Sequence, residues 1–147
     1  LTSQRFKFDL DSDGQTDDIN FVTGGSGFLA LDRNGDGKIN NGSELFGAKS
    51  GDGFAELATL DSDNNGWIDE NDAAYEKLSI WTKDSTSKDQ LSTLTQANVG
   101  AISLARVATP FELKDSRNHQ QGEIRATGIY LREDGAAGTI QQIDLTV

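Results

Sequence analysis

Asp61-Ser62-Asp63-Asn64-Asn65-Gly66-Trp67-Ile68-Asp69-Glu70-Asn71-Asp72 is the stretch on which the reading of this chain turns. Oxygen-bearing side chains recur at alternate positions of this window, and a glycine stands halfway along it. Ca²⁺ is a hard cation that takes roughly six to eight oxygen ligands, and a short loop supplies them from alternate residues when a glycine permits the sharp turn. On this spacing Asp61, Asp63 and Asn65 offer side-chain oxygens and Gly66 turns the chain. Trp67 offers its backbone carbonyl, Asp69 acts directly or through water, and Asp72 closes the shell. Glu is usual at that last position and reaches farther. Asp72 therefore predicts weaker affinity or a more tightly drawn exit. Ile68, at the eighth position, is expected to pack inward.

Two more stretches repeat the pattern of this EF-hand-like loop. In Asp32–Glu44 the residues Asp32, Asn34, Asp36 and Gly37 are in register, Lys38 supplies the carbonyl, Ile39 the inward hydrophobe and Asn40 the next ligand. Ser43 occupies the twelfth position and the closing acid comes one residue later, at Glu44, so an inserted residue at Asn41-Gly42 is expected. The first loop carries Asp9, Asp11, Asp13 and Gly14, then Gln15 for a carbonyl. Asn20 is a poor final ligand there, and Asp17 or Asp18 the better one. Asp-Gly and Asn-Gly pairs also make simple turns. Three stretches sharing Asp or Asn at the ligand positions with Gly at the sixth favour metal.

Composition agrees with that weighting. Of 24 acidic residues, 13 lie in these three loops, and the formal net charge is −11. Three Ca²⁺ would bring it to −5. Such a balance argues against partners that call for basic patches, nucleic acid and anionic membrane among them. Leu, Ile, Val and Phe number 34, enough for a thin core that gains from another source of stability. Cysteine is absent, which excludes disulfides and thiolate metal sites. No apolar run approaches a membrane span. The first residue, Leu1, is not an initiator methionine, so a piece of a longer protein is expected.

Apolar patterning predicts an α+β fold, with strands at both ends around calcium loops and short helices. Phe6 and Phe8 alternate with charged residues as in a half-buried strand. Ile19–Val22 and Phe28–Leu31 read as strands joined by a hairpin turn at Thr23–Gly27. Phe54, Leu57 and Leu60 recur at helical spacing behind a capping Asp52. A second helix is expected over about Glu70–Leu78, and a third after Ser87 and Gln90, a capping-box pair. Strands return at Val99–Val107, Phe111–Leu113, Glu123–Arg132 and Thr139–Val147, with Pro110 and Gly135–Gly138 marking turns. One domain results: a calcium-loop lobe over 1–98 and C-terminal strands over 99–147. Trp67 and Trp81 read as packing residues and His119 as a solvated loop residue.

The run Gly27-Phe28-Leu29-Ala30-Leu31-Asp32-Arg33-Asn34-Gly35-Asp36-Gly37-Lys38-Ile39, continued by Gly42-Ser43-Glu44-Leu45-Phe46-Gly47, resembles the calcium-binding modules of RTX-toxin-related secreted bacterial proteins, including the FrpC-type self-processing module. Phe8–Gly14 and Gly53–Asp63 share that resemblance. It covers residues 6–104 well and the later strands loosely. It implies an extracellular, type I-exported domain of a larger protein, with flanking domains as neighbours, and it accommodates the late acid at Glu44. Two departures stand out. Trp81–Leu91 keeps only Asp84 and Asp89 of a further acidic loop, and the sole proline, Pro110, follows Thr109 rather than an aspartate. The expectation is a non-enzymatic domain that holds about three Ca²⁺. The alternatives are a calcium-dependent module cleaving an Asp-Pro bond upstream of Leu1, and a docking module similar to the dockerins.

Overall fold

The computed structural model describes residues 1–147. Strands β1 (Arg5–Phe8) and β2 (Asp17–Asn20) pair antiparallel, with Phe8 opposite Asp17. The first acidic loop is their connection. Strand β3 (Phe28–Leu31) runs into the second loop, which ends in a 3-10 turn at Gly42–Glu44. Helix α1 (Gly53–Ala58) leads into the third loop, whose second half carries β4 (Trp67–Asp69). The chain continues through β5 (Leu78–Lys83), β6 (Asp89–Thr93), β7 (Val99–Ser103), β8 (Val107–Lys114), β9 (Gln120–Arg132) and β10 (Ala137–Leu145). β3, β5 and β6 form one sheet. β10, β9, β7 and β4 form another, with β8 also on β9.

The fold is β-rich, and the α+β expectation is wrong. Strand and bridge residues make up 44% of the chain and helical residues 8%, with a single α-helix. That helix is the one Phe54 and Leu57 announced, and the Asp52 side chain accepts the Ala55 N–H as its cap. The helix expected after Ser87 is instead half of a hairpin. Trp81 sits opposite Leu91 in the β5–β6 register, and Lys83 pairs with Asp89 at 2.5 Å. Burying Trp81 to 2% exposure outweighs a local capping preference worth about 1 kcal/mol. Between Glu70 and Leu78 only Tyr75–Lys77 forms a 3-10 turn. The Tyr75 hydroxyl is drawn to the Val99 carbonyl at 2.6 Å, and Leu78 already pairs with Leu31. Thr23–Gly27 is not a hairpin turn, because β2 and β3 belong to different sheets. Pro110 lies inside β8 rather than at a turn. It falls within an irregularity between Ala108 and Phe111 on an edge strand, where a missing N–H leaves no ladder partner unmet.

Apolar side chains gather in two clusters. Leu31, Leu57, Ile68, Tyr75, Leu78, Leu94, Val99 and Ile102 form the first. Phe8, Ile19, Phe21, Ala30, Ile39, Leu45 and Trp81 form the second, in which the Trp81 ring lies 5.0 Å from Phe21 and 5.2 Å from Phe8. Adjacent residues Ala30 and Leu31 of β3 serve different clusters, as strand alternation requires. No helix is long and apolar enough to cross a membrane.

Candidate metal centre

The first aspartate of each loop does the same work. Asp9 accepts the N–H of Asp13 on Oδ1 (3.0 Å) and of Gly14 on Oδ2 (3.1 Å). Asp32 accepts Gly35 (2.9 Å) and Gly37 (2.7 Å). Asp61 accepts Asn65 (3.3 Å) and Gly66 (2.9 Å). The amide of the sixth residue thus always returns to the carboxylate of the first. Gly14, Gly37 and Gly66 hold φ of 89°, 78° and 82°, backbone open to glycine at no steric cost.

Loops two and three are closed by a shared device. Glu44 accepts the Arg33 N–H on Oε1 (3.1 Å) and the Asn40 N–H on Oε2 (2.7 Å). Asp72 accepts the Ser62 N–H on Oδ1 (2.7 Å) and the Asp69 N–H on Oδ2 (3.0 Å). In both loops the clasped amides belong to the second and ninth residues. Glu44 and Asp72 are 4% and 3% exposed, so each is a buried carboxylate with both oxygens engaged. The longer Glu side chain spans the extra residue of loop two, and Asp72 suffices where none is inserted. Ile39 and Ile68, the eighth residues, are buried, one in each apolar cluster.

Carboxylates converge in two of the loops. Oxygens of Asp9, Asp11 and Asp13 lie within 4.8 Å of one another, and so do those of Asp61, Asp63 and Asp72. Asp32, Asp36 and Glu44 make no such acidic group; loop two instead joins Asn34 to Asp36 and to Asn40 Oδ1 (3.0 Å). Electrostatics follow this division. Partial desolvation and the charges of Asp13, Asp17 and Asp9 hold the Asp11 carboxyl above the ordinary 3.8. Asp63 is raised too, by desolvation and by Asp61 and Asp72. Asp36 is lowered, first by the Lys38 N–H and then by the Asn40 and Asn34 side chains. Burial pushes Asp72 up, but the amides of Asp69 and Ser62 outweigh it and leave the carboxyl low. An oxygen-only, mutually repelling donor set fits a hard divalent cation, whose charge would reverse the repulsion.

Other sequence-based candidates are placed differently. Asp18 turns to Lys7 (2.9 Å) and lies outside the converging group. Asp17, at the start of β2, acts on Asp11 through its charge. Asn65 Nδ2 donates to Asp69 (3.1 Å), and the Gln15 N–H donates to Asp13 (2.7 Å). The Trp67 N–H donates to Asn65 (2.9 Å), and the Lys38 N–H donates to Asp36 (2.9 Å). Buried Asn20 donates to the Thr2 carbonyl and ties down the N-terminus. Asp84 accepts the amides of Thr86 (2.8 Å) and Lys88 (3.0 Å) and builds a plain turn. His119 is exposed beside Asp115. Sequence reasoning missed Ser12, Asn41 and Gly42, which join loops one and two. The sequence marks Asn41-Gly42 only as the place of an inserted residue, and only the approach of two loops distant in sequence exposes the role.

The SPM domain family model matches residues 1–146. The iron-regulated protein FrpA of Neisseria meningitidis serogroup C is 34% identical over 142 residues, which span 87% of this chain and 12% of that protein. The chain therefore corresponds to a small part of a much longer relative. With the family model covering almost every residue, this chain belongs to the SPM domain family.

Proposed function

We propose that this is a calcium-binding domain of a larger, RTX-related secreted protein, stabilised in its compact form by about three Ca²⁺. One observation carries the reading: two separate triplets, Asp9/Asp11/Asp13 and Asp61/Asp63/Asp72, each converge to within 4.8 Å with no cationic side chain paired to them. Loop two repeats their amide-to-carboxylate geometry and completes the set with Asn34 and Asn40. Without a cation the triplets repel internally. Binding therefore adds to folding free energy. Extracellular modules bind at about 10⁻⁴–10⁻³ M, so in cytosolic calcium the sites contribute almost nothing and outside the cell they fill. The family relationship and the length of FrpA support placement within a longer exported chain.

Calorimetric titration of metal-free protein with Ca²⁺ tests the proposal. Three ions per chain are expected. One or none overturns it, and a fourth would assign a ligand role to the Asp84 turn.

A further inference from the structure

Loops one and two are stitched together by a seam that loop three lacks. The Asp9 carbonyl accepts the Gly42 N–H at 2.8 Å, and Asp9 pairs with Asn41 in a parallel bridge. The Ser12 hydroxyl accepts the Ser43 N–H (3.0 Å) and donates to Asn41 Oδ1 (3.2 Å). The contact is close: a Cβ on Gly42 would lie 1.6 Å from the Leu10 carbonyl oxygen. No carboxylate clasps loop one as Glu44 and Asp72 clasp the other two, and residues 41–43 of loop two lie against it instead. Both loops also anchor in one apolar cluster, through Phe8 and Ile19 on one side and Ile39 and Leu45 on the other. Loop three bonds instead to the C-terminal sheet, where the Gly66 carbonyl accepts the Leu104 N–H (3.0 Å) and Ile68 pairs with Ile102.

We propose that loops one and two bind Ca²⁺ as a coupled pair, through the Asp9–Gly42 and Ser12–Asn41–Ser43 seam, while loop three binds on its own. This rests on the calcium reading above. A cation on Asp9, Asp11 and Asp13 orders the segment 9–13. That segment carries both seam acceptors, the Asp9 carbonyl and the Ser12 hydroxyl. Ordering them holds Asn41–Ser43, which lead directly into Glu44, the clasp of loop two. The entropy of ordering the seam is then lost once for two ions, which is positive coupling. Coupling must be reciprocal. Couplings between sites typically change affinity by about 5- to 150-fold, and a seam of this size belongs near the lower limit.

The test follows the amide resonances of Gly14, Gly37 and Gly66, one per loop, as Ca²⁺ is added to the full chain. Asp11→Ala removes a ligand from loop one without touching the seam. It should weaken calcium binding read at Gly37 by about fivefold or more and leave Gly66 unchanged. Ser12→Ala keeps every ligand and cuts one strand of the seam. Combining it with Asp11→Ala should shrink the loss at Gly37 toward none, relative to Ser12→Ala alone. Gly42→Ala is the harsher version, and Ser12→Ala decides the matter if that chain does not fold. An unchanged Gly37 affinity in Asp11→Ala, or an equal loss at Gly66, overturns the coupling while the wild-type sites still fill. No calcium response at any of the three glycines in the wild type would remove the calcium reading itself, and the coupling with it.

Discussion

Loops one and two meet over a core rich in aromatic rings, whereas loop three stands on a mainly aliphatic one shared with the C-terminal sheet. All three use the same local device, a leading aspartate that gathers the amide of the glycine five residues on. They part company at closure. Loop three ends in its own buried Asp72 and loop two in Glu44, while loop one leans on the exit of its neighbour. The difference teaches that an aspartate–glycine loop is local and repeatable, but the group that finishes it is whatever tertiary packing brings alongside. It also gives the two halves of the molecule different dependence on their neighbours.

Chelation should have the largest effect and act on both halves. At about 1 mM Ca²⁺ and a dissociation constant near 10⁻⁴ M, each site adds about 1.4 kcal/mol, and three add about 4. For a chain of this size that is a melting shift on the order of 10 °C between calcium and chelator. Amide exchange should quicken around Ile19 and Ile39 in one core and around Ile68 in the other. A change confined to one core would limit the metal to that half and break the symmetry of the comparison.

Asp61→Ala sharpens the contrast by emptying only the isolated loop. It removes a proposed ligand and the acceptor of the Asn65 and Gly66 amides. The variant should lose one ion and about 3–6 °C of calcium-dependent melting. The calcium response of the Trp67 indole resonance should vanish while those of Gly14 and Gly37 persist. Reading Trp67 by resonance leaves Trp81 in place, as it must be, since that ring packs against four phenylalanines. A variant that keeps the wild-type titration and melting curve would reduce loop three to an ordinary turn.

The Asp84 turn shows what an aspartate loop is without converging acids, and it carries the smallest effect. The Thr86 hydroxyl, then the Lys88 and Thr86 amides, hold its carboxyl below the ordinary 3.8. A depressed acid contributes stability that is present above the unfolded value and lost as pH falls through the folded one. Asp84→Asn should therefore flatten the acid limb of the stability profile below pH 3.8, with the calcium stoichiometry unchanged. A lost ion in this variant would make the turn a fourth site, equivalent to the other three loops.

What was legible in the sequence lay within short windows. The leading aspartates, the sixth-position glycines and the inward Ile39 and Ile68 all follow from spacing, because an Asx turn is completed within a few residues. Helix α1 was legible for the same reason: Asp52, Phe54 and Leu57 act on one another within two turns. The Ser87–Gln90 pair was misread because its capping preference is weaker than the burial of Trp81 across the β5–β6 hairpin. The Thr23–Gly27 turn was misread because strand runs do not name their partners, and β3 found β5 some fifty residues away rather than β2.

By itself the sequence determined the three loops, the leading aspartate of each and the oxygen-bearing side chains that alternate along them, since each depends on residues a few positions apart. Tertiary structure alone decided the β-rich architecture, the diversion of Asp18 to Lys7 and of Asn20 to Thr2, and the pairing of loop one with loop two. Those outcomes depend on which distant segments approach. Long-range approach is set by the burial of apolar faces such as those around Trp81 and Ile68, a quantity no single window contains. The Gly42 contact with Leu10 belongs to the same class: its reason is a carbonyl oxygen more than thirty residues away.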